Sequence, residues 1–400
     1  MTETPVLPLH MRRDGFDPVE ELGRVRDGEG VRLVETAFGT TAYLVTRYDD
    51  VREVLSDAAR FSNVNPQGFV QPDGPQLSEE ELAQMRAGQL LVMDPPDHTR
   101  IRRMLAPEFT VRRIKHLEPR IVQIVEQHLD ALEEAGPPAD LVATFAMPIP
   151  SLVICELLGV PYEERDGFQQ RTRRLLNLSI SVEERIALAR ESREYMRSLV
   201  QRAKADPHDD ILGRLVLQHG DELTDDELTG IAGLLLIAGH ETTSNMLGLG
   251  TLALLRHPEQ LALVRDDPDV AENAVEELLR WLSIVHSGFP RTTTTEVEIA
   301  GHTIPSGSLI VFALPAANRD DALSDHPDRL DVTRGAPGHV AFGHGVHHCL
   351  GAPLARMEMR IAFPALLRRF PRLALAVPFD EVDFRSFNLI YGLQSLPVTW

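Results

Sequence analysis

One segment of the sequence, residues 225–256, constrains the fold more than any other. Thr224 and Glu227 form a capping-box pattern at its start, and Pro258 follows its end. A helix of this length is about 48 Å long at ~1.5 Å per residue. Its middle is apolar on almost every side, which is typical of a buried helix. The chain therefore needs a large core for this helix to cross.

The rest of the sequence is sufficient for such a core. The chain has 400 residues, of which 43 % are apolar, and no Gly/Ser-rich or Pro-rich linker divides it. Helical spacing covers about residues 97–290 and 350–370, and strand-like alternation covers about residues 30–50 and 292–315. We therefore predict one large domain over residues 1–400, mainly α with a minor β portion at one edge.

Four shorter segments carry local predictions. Apolar runs on either side of Gly39 predict a hairpin, and the Pro- and Gly-rich residues 63–90 predict a long loop with one short helix. Residues 111–136 predict a helix that ends at Gly136. The last segment, residues 386–400, is β-like.

Composition argues against several classes of function. The formal net charge is −20, which disfavours binding to nucleic acid or anionic lipid. No apolar run reaches the roughly 18–20 residues of a membrane span, and the N-terminus lacks a signal-peptide pattern. The two cysteines, Cys155 and Cys349, do not make a disulfide framework. We expect a cytoplasmic monomer with neither a nucleic-acid partner nor a membrane partner.

Cys349 lies in the segment Phe342–Pro353, which reads FGHGVHHCLGAP. Burial in the core explains Cys155, which lies in an apolar run. It explains Cys349 poorly, because the three neighbouring glycines indicate positive φ or a close backbone approach. A helix predicted to begin at about Leu350 would also place this thiol beside free N–H groups, which favour a thiolate.

Three roles for this thiolate remain open on the residues alone. Zinc binding is one, although His347, His348 and Cys349 are consecutive and no paired CxxC or HExxH supplies further ligands. The nucleophile of a Cys–His hydrolase is the second, with its base elsewhere in the chain. The third is the axial ligand of a haem, where the glycines let a loop pass beneath the ring and point N–H groups at the sulfur.

The third role matches a long motif. Phe342, Gly343, His347, Cys349 and Gly351 follow the pattern F-G-x-G-x-H/R-x-C-x-G, so the segment resembles the cysteine loop of the cytochrome P450 family. The resemblance implies that Cys349 is the metal ligand and that the other four residues contact the haem.

A second motif of that family lies inside the long predicted helix. Ala238, Gly239, Glu241 and Thr242 belong to AGHETT, which resembles the family pattern A/G-G-x-D/E-T-T. The two small residues leave room for a diatomic ligand, and Thr242 can bond back to a helix carbonyl. By resemblance, Thr242 holds bound oxygen and Glu241 relays protons to it. The alternative, a polar patch on a buried helix, is unfavourable unless it serves a function.

Two further resemblances concern the support of the cofactor. Glu277 and Arg280 match the family's E-x-x-R pair, although this spacing alone usually gives a surface ion pair. In the family the pair joins a later arginine, for which Arg329 is the candidate, and locks the cysteine loop. The two haem propionates need cationic or hydrogen-bonding partners. By resemblance these are His98, Arg102, Arg291 and His347.

The resemblance implies a monooxygenase that uses haem b and O₂, with electrons ultimately from NAD(P)H. The chain has no flavin or iron–sulfur motif, so ferredoxin and ferredoxin reductase are the expected partners. Their docking surface is predicted at a cluster of basic residues near the haem. The cluster consists of Arg100, Arg102, Arg103, Arg112, Arg113 and Lys115, with Glu108 as its one acid. A peroxide-using haem enzyme would be expected to lack the acid–alcohol pair, and a haem sensor would usually adjoin an output domain.

The substrate is inferred from family position alone. The expected lining comprises the loop 63–90, the region 170–185, and the residues Leu234, Ala238, Ile284, Val285, His286, Leu389 and Ile390. This mixture of apolar and small polar groups suits a bulky, partly polar molecule. We predict hydroxylation or epoxidation of a macrolide such as a polyene during antibiotic biosynthesis, with a steroid or xenobiotic hydroxylase as the alternative.

Overall fold

The computed structural model describes residues 7–37, 39–64, 78–161, 164–335 and 338–400. Helices dominate these stretches, and the strands are short. The helices are α1 (Glu20–Asp27), α2 (Tyr48–Ser56), α3 (Glu79–Arg86), α4 (Asp97–Leu105), α5 (Val111–Lys115), α6 (Glu118–Ala135), α7 (Pro148–Leu157), α8 (Arg165–Leu175), α9 (Val182–Ala205), α10 (Ile211–His219), α11 (Asp225–Arg256), α12 (Pro258–Asp266), α13 (Ala271–Leu282), α14 (Leu314–Ala317) and α15 (Ala352–Arg369). The strands are β1 (Arg13–Asp14), β2 (Asp17–Pro18), β3 (Val31–Glu35), β4 (Thr41–Val45), β5 (Phe61–Ser62), β6 (Ala139–Asp140), β7 (Arg291–Thr293), β8 (Val297–Ile299), β9 (His302–Ile304), β10 (Leu309–Phe312), β11 (Ala374–Leu375) and β12 (Pro397–Thr399).

Helix α11 has the bounds that the sequence predicts, and it crosses the core. Thr224 Oγ1 accepts a hydrogen bond from the N–H of Glu227 at 3.1 Å, and the Glu227 carboxylate accepts one from the N–H of Thr224 at 2.9 Å. This capping box satisfies two N–H groups that a helix N-terminus leaves without intrahelical partners. The helix packs against α7, α9 and α15. Near its middle, Ala238 and Thr242 are less buried than their neighbours, and both border a large cavity.

The β portion lies at one edge, in a five-stranded sheet of order β3-β4-β10-β7-β5. The predicted hairpin is confirmed: β3 and β4 are antiparallel, with Val31 opposite Val45. Strand β10 pairs in parallel with β4 and antiparallel with β7. This pairing places the connection between α13 and β7, residues 283–290, beside the sheet. There the N–H of Leu314 donates to the carbonyl of His286 at 3.0 Å.

Residues 111–136 form two helices rather than the one predicted. Helix α5 ends at Lys115, and α6 begins at Glu118 with Pro119 in its first turn. Proline has no N–H, and its ring clashes with the carbonyl four residues earlier, which here belongs to Lys115. A continuous helix through Pro119 is therefore unfavourable. Gly136 follows α6 with φ +69°, which agrees with the predicted end.

The β-like tail contains less strand than its sequence suggests. Only β12 is a strand, paired with β11 and β6, while isolated bridges join Ile390 to Val285 and Asn388 to Asn177. The tail thus lies against the connection between α13 and β7. The short helix expected within residues 63–90 is α3, and residues 65–77 of that segment lie outside the described residues. Within the described stretches, no helix is long and apolar enough to cross a membrane.

Candidate active site

A cavity of about 580 Å³ lies between the middle of α11, the cysteine segment, the connection between α13 and β7, and the tail. The sequence analysis named eighteen residues for contact with cofactor, oxygen or substrate, and all of them border this cavity. They are His98, Arg102, Leu234, Ala238, Gly239, Glu241, Thr242, Ile284, Val285, His286, Arg291, Phe342, Gly343, His347, Cys349, Gly351, Leu389 and Ile390. The fold therefore brings together segments that are more than 290 residues apart in the sequence.

Glycine allows the cysteine segment to turn sharply at the floor of the cavity. Gly343 and Gly345 both have φ +71°, a conformation that L side chains rarely adopt. A Cβ on Gly345 would also lie 2.5 Å from the carbonyl oxygen of Leu55. The turn closes with the N–H of Cys349 donating to the carbonyl of Phe342 at 2.9 Å. Helix α15 then begins at Ala352, two residues later than the predicted start at Leu350.

The surroundings of the Cys349 sulfur are suited to a bound thiolate. Burial raises the pKa of this thiol, but the backbone N–H groups of Gly351 and Ala352 and the guanidinium groups of Arg102 and Arg356 act to lower it. N–H donors and cations near a thiolate stabilise its negative charge. These neighbours partly offset the effect of burial, although the net shift of the pKa remains upward.

A network on the far side of the cysteine segment holds Arg356 in place. Its Nε donates to the Glu276 carboxylate at 2.5 Å, and its guanidinium lies 4.6 Å from the centre of the Phe342 ring. Nε2 of His339 lies 3.3 Å from the same carboxylate. The network links α13 and α15 to the cysteine segment. It therefore holds the segment in place and keeps the positive charge of Arg356 near the Cys349 sulfur.

Four potential hydrogen-bond donors converge on the cavity without an anion. Arg102 donates to the carbonyl of His348 at 2.6 Å, and Arg291 donates to the carbonyl of Phe289 at 2.9 Å. Neither guanidinium has a carboxylate within 4.0 Å among the described residues. Burial lowers the pKa of Arg291 to about 10. A buried cation without an anion is unfavourable, so the site fits a ligand that carries negative charge.

Two histidines complete this set. The rings of His98 and His347 lie 4.2 Å apart between centroids. Both ring nitrogens of His98 and Nε2 of His347 are buried without a hydrogen-bond partner in the described part of the chain. Since buried polar groups in native proteins are nearly always hydrogen-bonded, these orphan atoms also point to an anionic ligand with several oxygens. The two propionates of a haem meet that description.

The acid and the alcohol of α11 lie side by side at the cavity wall. Thr242 Oγ1 donates to the carbonyl of Ala238 at 2.7 Å, which is the back-bond that the sequence predicts. Glu241 is only 2 % exposed. Its Oε2 accepts hydrogen bonds from Arg385 Nη1 at 3.0 Å and from Asn245 Nδ2 at 3.2 Å. The carboxylate therefore has fixed partners, whereas the threonine hydroxyl borders open space.

Comparison with known proteins identifies the family. The family model for cytochrome P450 matches residues 181–375. The chain is 54 % identical over 400 residues to cytochrome P450 FAS1 of Rhodococcoides fascians, and the match covers the whole of both chains. It is 44 % identical over 388 residues to pentalenic acid synthase of Streptomyces avermitilis, which covers 96 % of this chain and 95 % of the relative.

This chain belongs to the cytochrome P450 family.

Solved P450 structures have the same fold. P450 StaH, from the biosynthesis of a glycopeptide antibiotic, superimposes with a TM-score of 0.87 at 44 % identity, over 99 % of this chain and all of that one. CYP105P1 in complex with filipin I superimposes with a TM-score of 0.91 at 41 % identity, over 97 % of both chains. The fold prediction, a single mainly α domain of P450 type, is confirmed.

Membership of the family settles the class of reaction. This P450 is a monooxygenase that uses haem b, held by a cysteine thiolate, and O₂, with electrons from NAD(P)H through partner proteins. The zinc and Cys–His hydrolase interpretations of the cysteine segment are therefore set aside. The orphan donors and the thiol environment described above fit such a haem.

The E-x-x-R pair of this P450 is buried, and its third member differs from the prediction. Glu277 and Arg280 are both completely buried, with 2.8 Å between Glu277 Oε2 and Arg280 Nε. The arginine that joins them is Arg334, whose Nε lies 3.2 Å from Glu277 Oε1. The prediction of Arg329 is wrong: its side chain is exposed, and only its backbone carbonyl accepts from Arg280 and Arg334. The turn at residues 325–334 brings the later arginine back onto α13.

Sequence reasoning missed several polar residues that border the cavity or contact its lining. Arg385 and His10 come from segments far from every motif, and no local pattern marks them. Glu358 on α15 also borders the cavity. Burial raises its pKa well above 4.5, which favours the protonated form. Its position nine residues after Cys349, on the inward face of the following helix, was a signal that could have been used.

Proposed function

We propose that this P450 hydroxylates or epoxidises a bulky macrolide, such as a polyene, in actinobacterial natural-product biosynthesis. The observation that carries the proposal is the large cavity, which runs from Cys349 and the acid–alcohol pair to an apolar lining. The similarity of this chain to actinobacterial enzymes, and to the structure of CYP105P1 with filipin I, supports the substrate class. The steroid or xenobiotic alternative shares the same chemistry and differs only in the molecule that the lining accepts.

The residues at the floor of the cavity would hold the cofactor. Cys349 would provide the thiolate, with the N–H groups of Gly351 and Ala352 directed at its sulfur. Arg102 and Arg291 would neutralise the propionates, together with hydrogen bonds from the two orphan histidines. When bound, the haem supplies the activation of O₂ and the oxidation of the substrate.

The chain's own contribution to the chemistry would be position and proton supply. Thr242 keeps its hydroxyl at the cavity wall by donating to the carbonyl of Ala238, so its oxygen can accept a hydrogen bond there and its proton becomes available when that bond opens. Glu241 is the adjacent acid that can replace that proton, held by Arg385 and Asn245. The apolar walls would exclude water, which limits side reactions.

We further propose that a ferredoxin docks on the face formed by α4 and α5. Three of the six basic residues there are used internally: Arg100 pairs with Glu227, Arg113 lies 3.5 Å from Asp209, and Arg102 borders the cavity and donates to the carbonyl of His348. Arg103, Arg112 and Lys115 are exposed and have no ion-pair partner in the described chain. Three exposed cations on a chain with a net charge of −20 would attract an acidic partner. The docking surface is therefore smaller than the sequence suggests.

The docking proposal is tested by electron transfer at varied ionic strength. Replacing Arg112 with Glu should slow the rate of reduction by a plant-type ferredoxin by about tenfold at low salt and less at high salt, because salt screens exposed charges. Arg372→Glu is the matched control, since Arg372 lies outside α4 and α5, is also exposed and has no ion-pair partner among the described residues. An equal effect of both variants would contradict the proposal.

The first test of the function uses the reduced protein and carbon monoxide. Wild type should give a Soret band shifted far to the red, Cys349→Ser should lose it, and Cys155→Ser should keep it. Substrate titrations of the ferric protein then rank macrolides against steroids by the change in spin state. A colourless wild type would sink the haem assignment, and tighter binding of steroids than of every macrolide would favour the alternative.

A further inference from the structure

Two histidines of the cavity take no part in the proposed chemistry. His286 lies in the connection between α13 and β7 and is 2 % exposed, and His10 lies in the N-terminal turn and is 6 % exposed. Both border the same cavity as Cys349. In the described residues, neither ring nitrogen of His286 has a hydrogen-bond partner, and Nδ1 of His10 has none either.

Orphan nitrogens in a folded core call for a partner. A buried polar group without a hydrogen bond costs roughly 1–3 kcal/mol, and more than about 90 % of such groups in native proteins are satisfied. Here three ring nitrogens lack a partner at one end of one cavity. Unpartnered ring nitrogens also identified His98 and His347 as propionate donors. His286 and His10, however, lie on other segments of the fold.

The His286 ring is supported by fixed neighbours. It packs edge-to-face on Tyr391, with 5.6 Å between ring centroids. The Tyr391 hydroxyl donates to the carbonyl of Gly15 at 2.7 Å, and the guanidinium of Arg13 lies 5.0 Å from the centre of the Tyr391 ring. Arg13 is itself bound to the carbonyls of Leu282 and Ser283 at the end of α13. The imidazole is therefore held at the cavity wall by a preorganised support.

The residues that line this end of the cavity carry no formal charge. We call it the N-terminal arm, bordered by His10, Met11, Thr36, Thr40, His286 and Leu309. Burial lowers the pKa of His10 to about 4 and that of His286 well below 6.5, and nearby Arg13 further lowers the pKa of His286. Both rings are therefore neutral at pH 7, and each presents one N–H donor and one acceptor nitrogen.

We propose that His286 and His10 bind an uncharged hydroxyl or amide group of the substrate. Such a group both donates and accepts a hydrogen bond, which matches a neutral imidazole. An ammonium group would meet no carboxylate there, and a carboxylate would meet no cation on the lining, because Arg13 lies outside it and already donates to the carbonyls of Leu282 and Ser283. The inference rests on the proposed monooxygenase function of this cavity and narrows its substrate to an apolar molecule with a neutral polar group.

The experiment compares ligands that differ only in this group. Spin-state titrations of the ferric holoenzyme use two series: androstane, androstanol and androstanol sulfate, and cyclododecane, cyclododecanol and cyclododecyl sulfate. The variants are His286→Phe, His286→Gln, His10→Phe and the double Phe variant. Val285→Leu is the matched control, because it changes the shape of the same cavity without removing a polar group.

The expected result is a selective loss of alcohol binding. His286→Phe should weaken the binding of an alcohol about fivefold relative to its hydrocarbon, which corresponds to one hydrogen bond. His286→Gln should recover part of the loss, the double variant should lose more, and Val285→Leu should leave the ratio unchanged. The sulfates should bind most weakly to the wild type.

Other outcomes overturn the inference. These are an unchanged ratio of alcohol to hydrocarbon affinity in the double variant, stronger binding of a sulfate than of its alcohol, and no binding of either alcohol. The carbon monoxide spectrum, recorded before any ligand is added, separates this failure from failure of the proposed function. A red-shifted band with an unchanged ratio refutes the histidine site alone.

Discussion

The guanidinium of Arg385 donates a hydrogen bond to the carboxylate of Glu241 at 3.0 Å, and both side chains are less than 10 % exposed. The two residues are 144 positions apart in sequence. Arg385 is in turn fixed by Asn388 Oδ1, 3.2 Å from its Nη2, and by its backbone N–H, which donates to the carbonyl of Gly392. The tail of the chain thus sets the orientation of the acid on α11.

We expect Arg385→Met to uncouple electron consumption from product formation. Without its partner the Glu241 carboxylate loses its fixed position, and proton supply of this kind is worth about 10²–10⁴ in rate. Product per NAD(P)H consumed should fall at least tenfold, with peroxide released instead, and Arg385→Lys should fall less. The double variant with Glu241→Gln should be no worse than Glu241→Gln alone, because the two residues act as a unit. Additive losses would contradict this account.

The buried pair on α13 predicts a graded loss of stability. Arg280→Met leaves the Glu277 charge buried beside one remaining arginine, and breaking such a pair lowers the free energy of unfolding by about 3–5 kcal/mol. Arg334→Ala should have a smaller effect. Arg329→Ala should change the free energy of unfolding by less than about 0.5 kcal/mol, since only the backbone of Arg329 takes part. Urea unfolding of the holoenzyme measures all three, and a loss at Arg329 as large as that at Arg334 would restore the original prediction.

The turn before Cys349 predicts that alanine at Gly345 and alanine at Gly39 affect haem retention differently, although both substitutions strain the backbone equally. Gly345 and Gly39 have φ +71° and +74°, so alanine costs roughly 1–2 kcal/mol at either site. Only at Gly345 would the new Cβ meet a backbone atom, the carbonyl oxygen of Leu55 at 2.5 Å. Gly345→Ala should therefore reduce the amount of haem retained per chain, and Gly39→Ala should not. Equal retention would show that the cysteine segment can shift.

The carboxylate that holds Arg356 predicts a dependence of stability on pH. Burial raises the pKa of Glu276, but the hydrogen bonds that it accepts from Arg356 and the nearby ring of His339 outweigh burial and lower the pKa to about 2. Because the folded-state pKa lies below the unfolded value near 4.5, the stabilisation is fully present above about pH 4.5 and declines as the pH falls towards 2.

Urea unfolding of wild type and Glu276→Gln measures this effect. The difference in the free energy of unfolding should reach up to roughly 3 kcal/mol near pH 6 and shrink at about pH 3.5. A difference that does not change over this range would mean that Glu276 acts only through packing.

Predictions from the sequence were best where local physics decides the outcome. The capping residue Thr224 and the stop at Pro258 define α11 completely, because both act through neighbouring backbone groups. Family motifs then named the residues around the cavity. In contrast, Arg329 and Arg334 both lie in an irregular stretch where no periodicity tells which side chain returns to α13. Local pattern could not distinguish them.

Long-range partners were not predictable at all. Arg385 reaches Glu241 only because the tail crosses α11 at Gly392, where a Cβ would overlap the side chain of Asn245. His10 borders the cavity only because the N-terminal turn packs on the sheet formed by β3, β4 and β10. Both positions depend on the assembled fold, which has no signature within a few residues of sequence.

The complete burial of Cys155 has a practical consequence for work with this enzyme. The chain contains only one other cysteine, Cys349, so a thiol reagent added to the folded protein has a single sulfur within reach. That sulfur is accessible only in molecules in which it does not ligate iron. Mass spectrometry after brief alkylation would therefore count the fraction of chains without cofactor, independently of any absorbance, and could calibrate every preparation before its activity is compared.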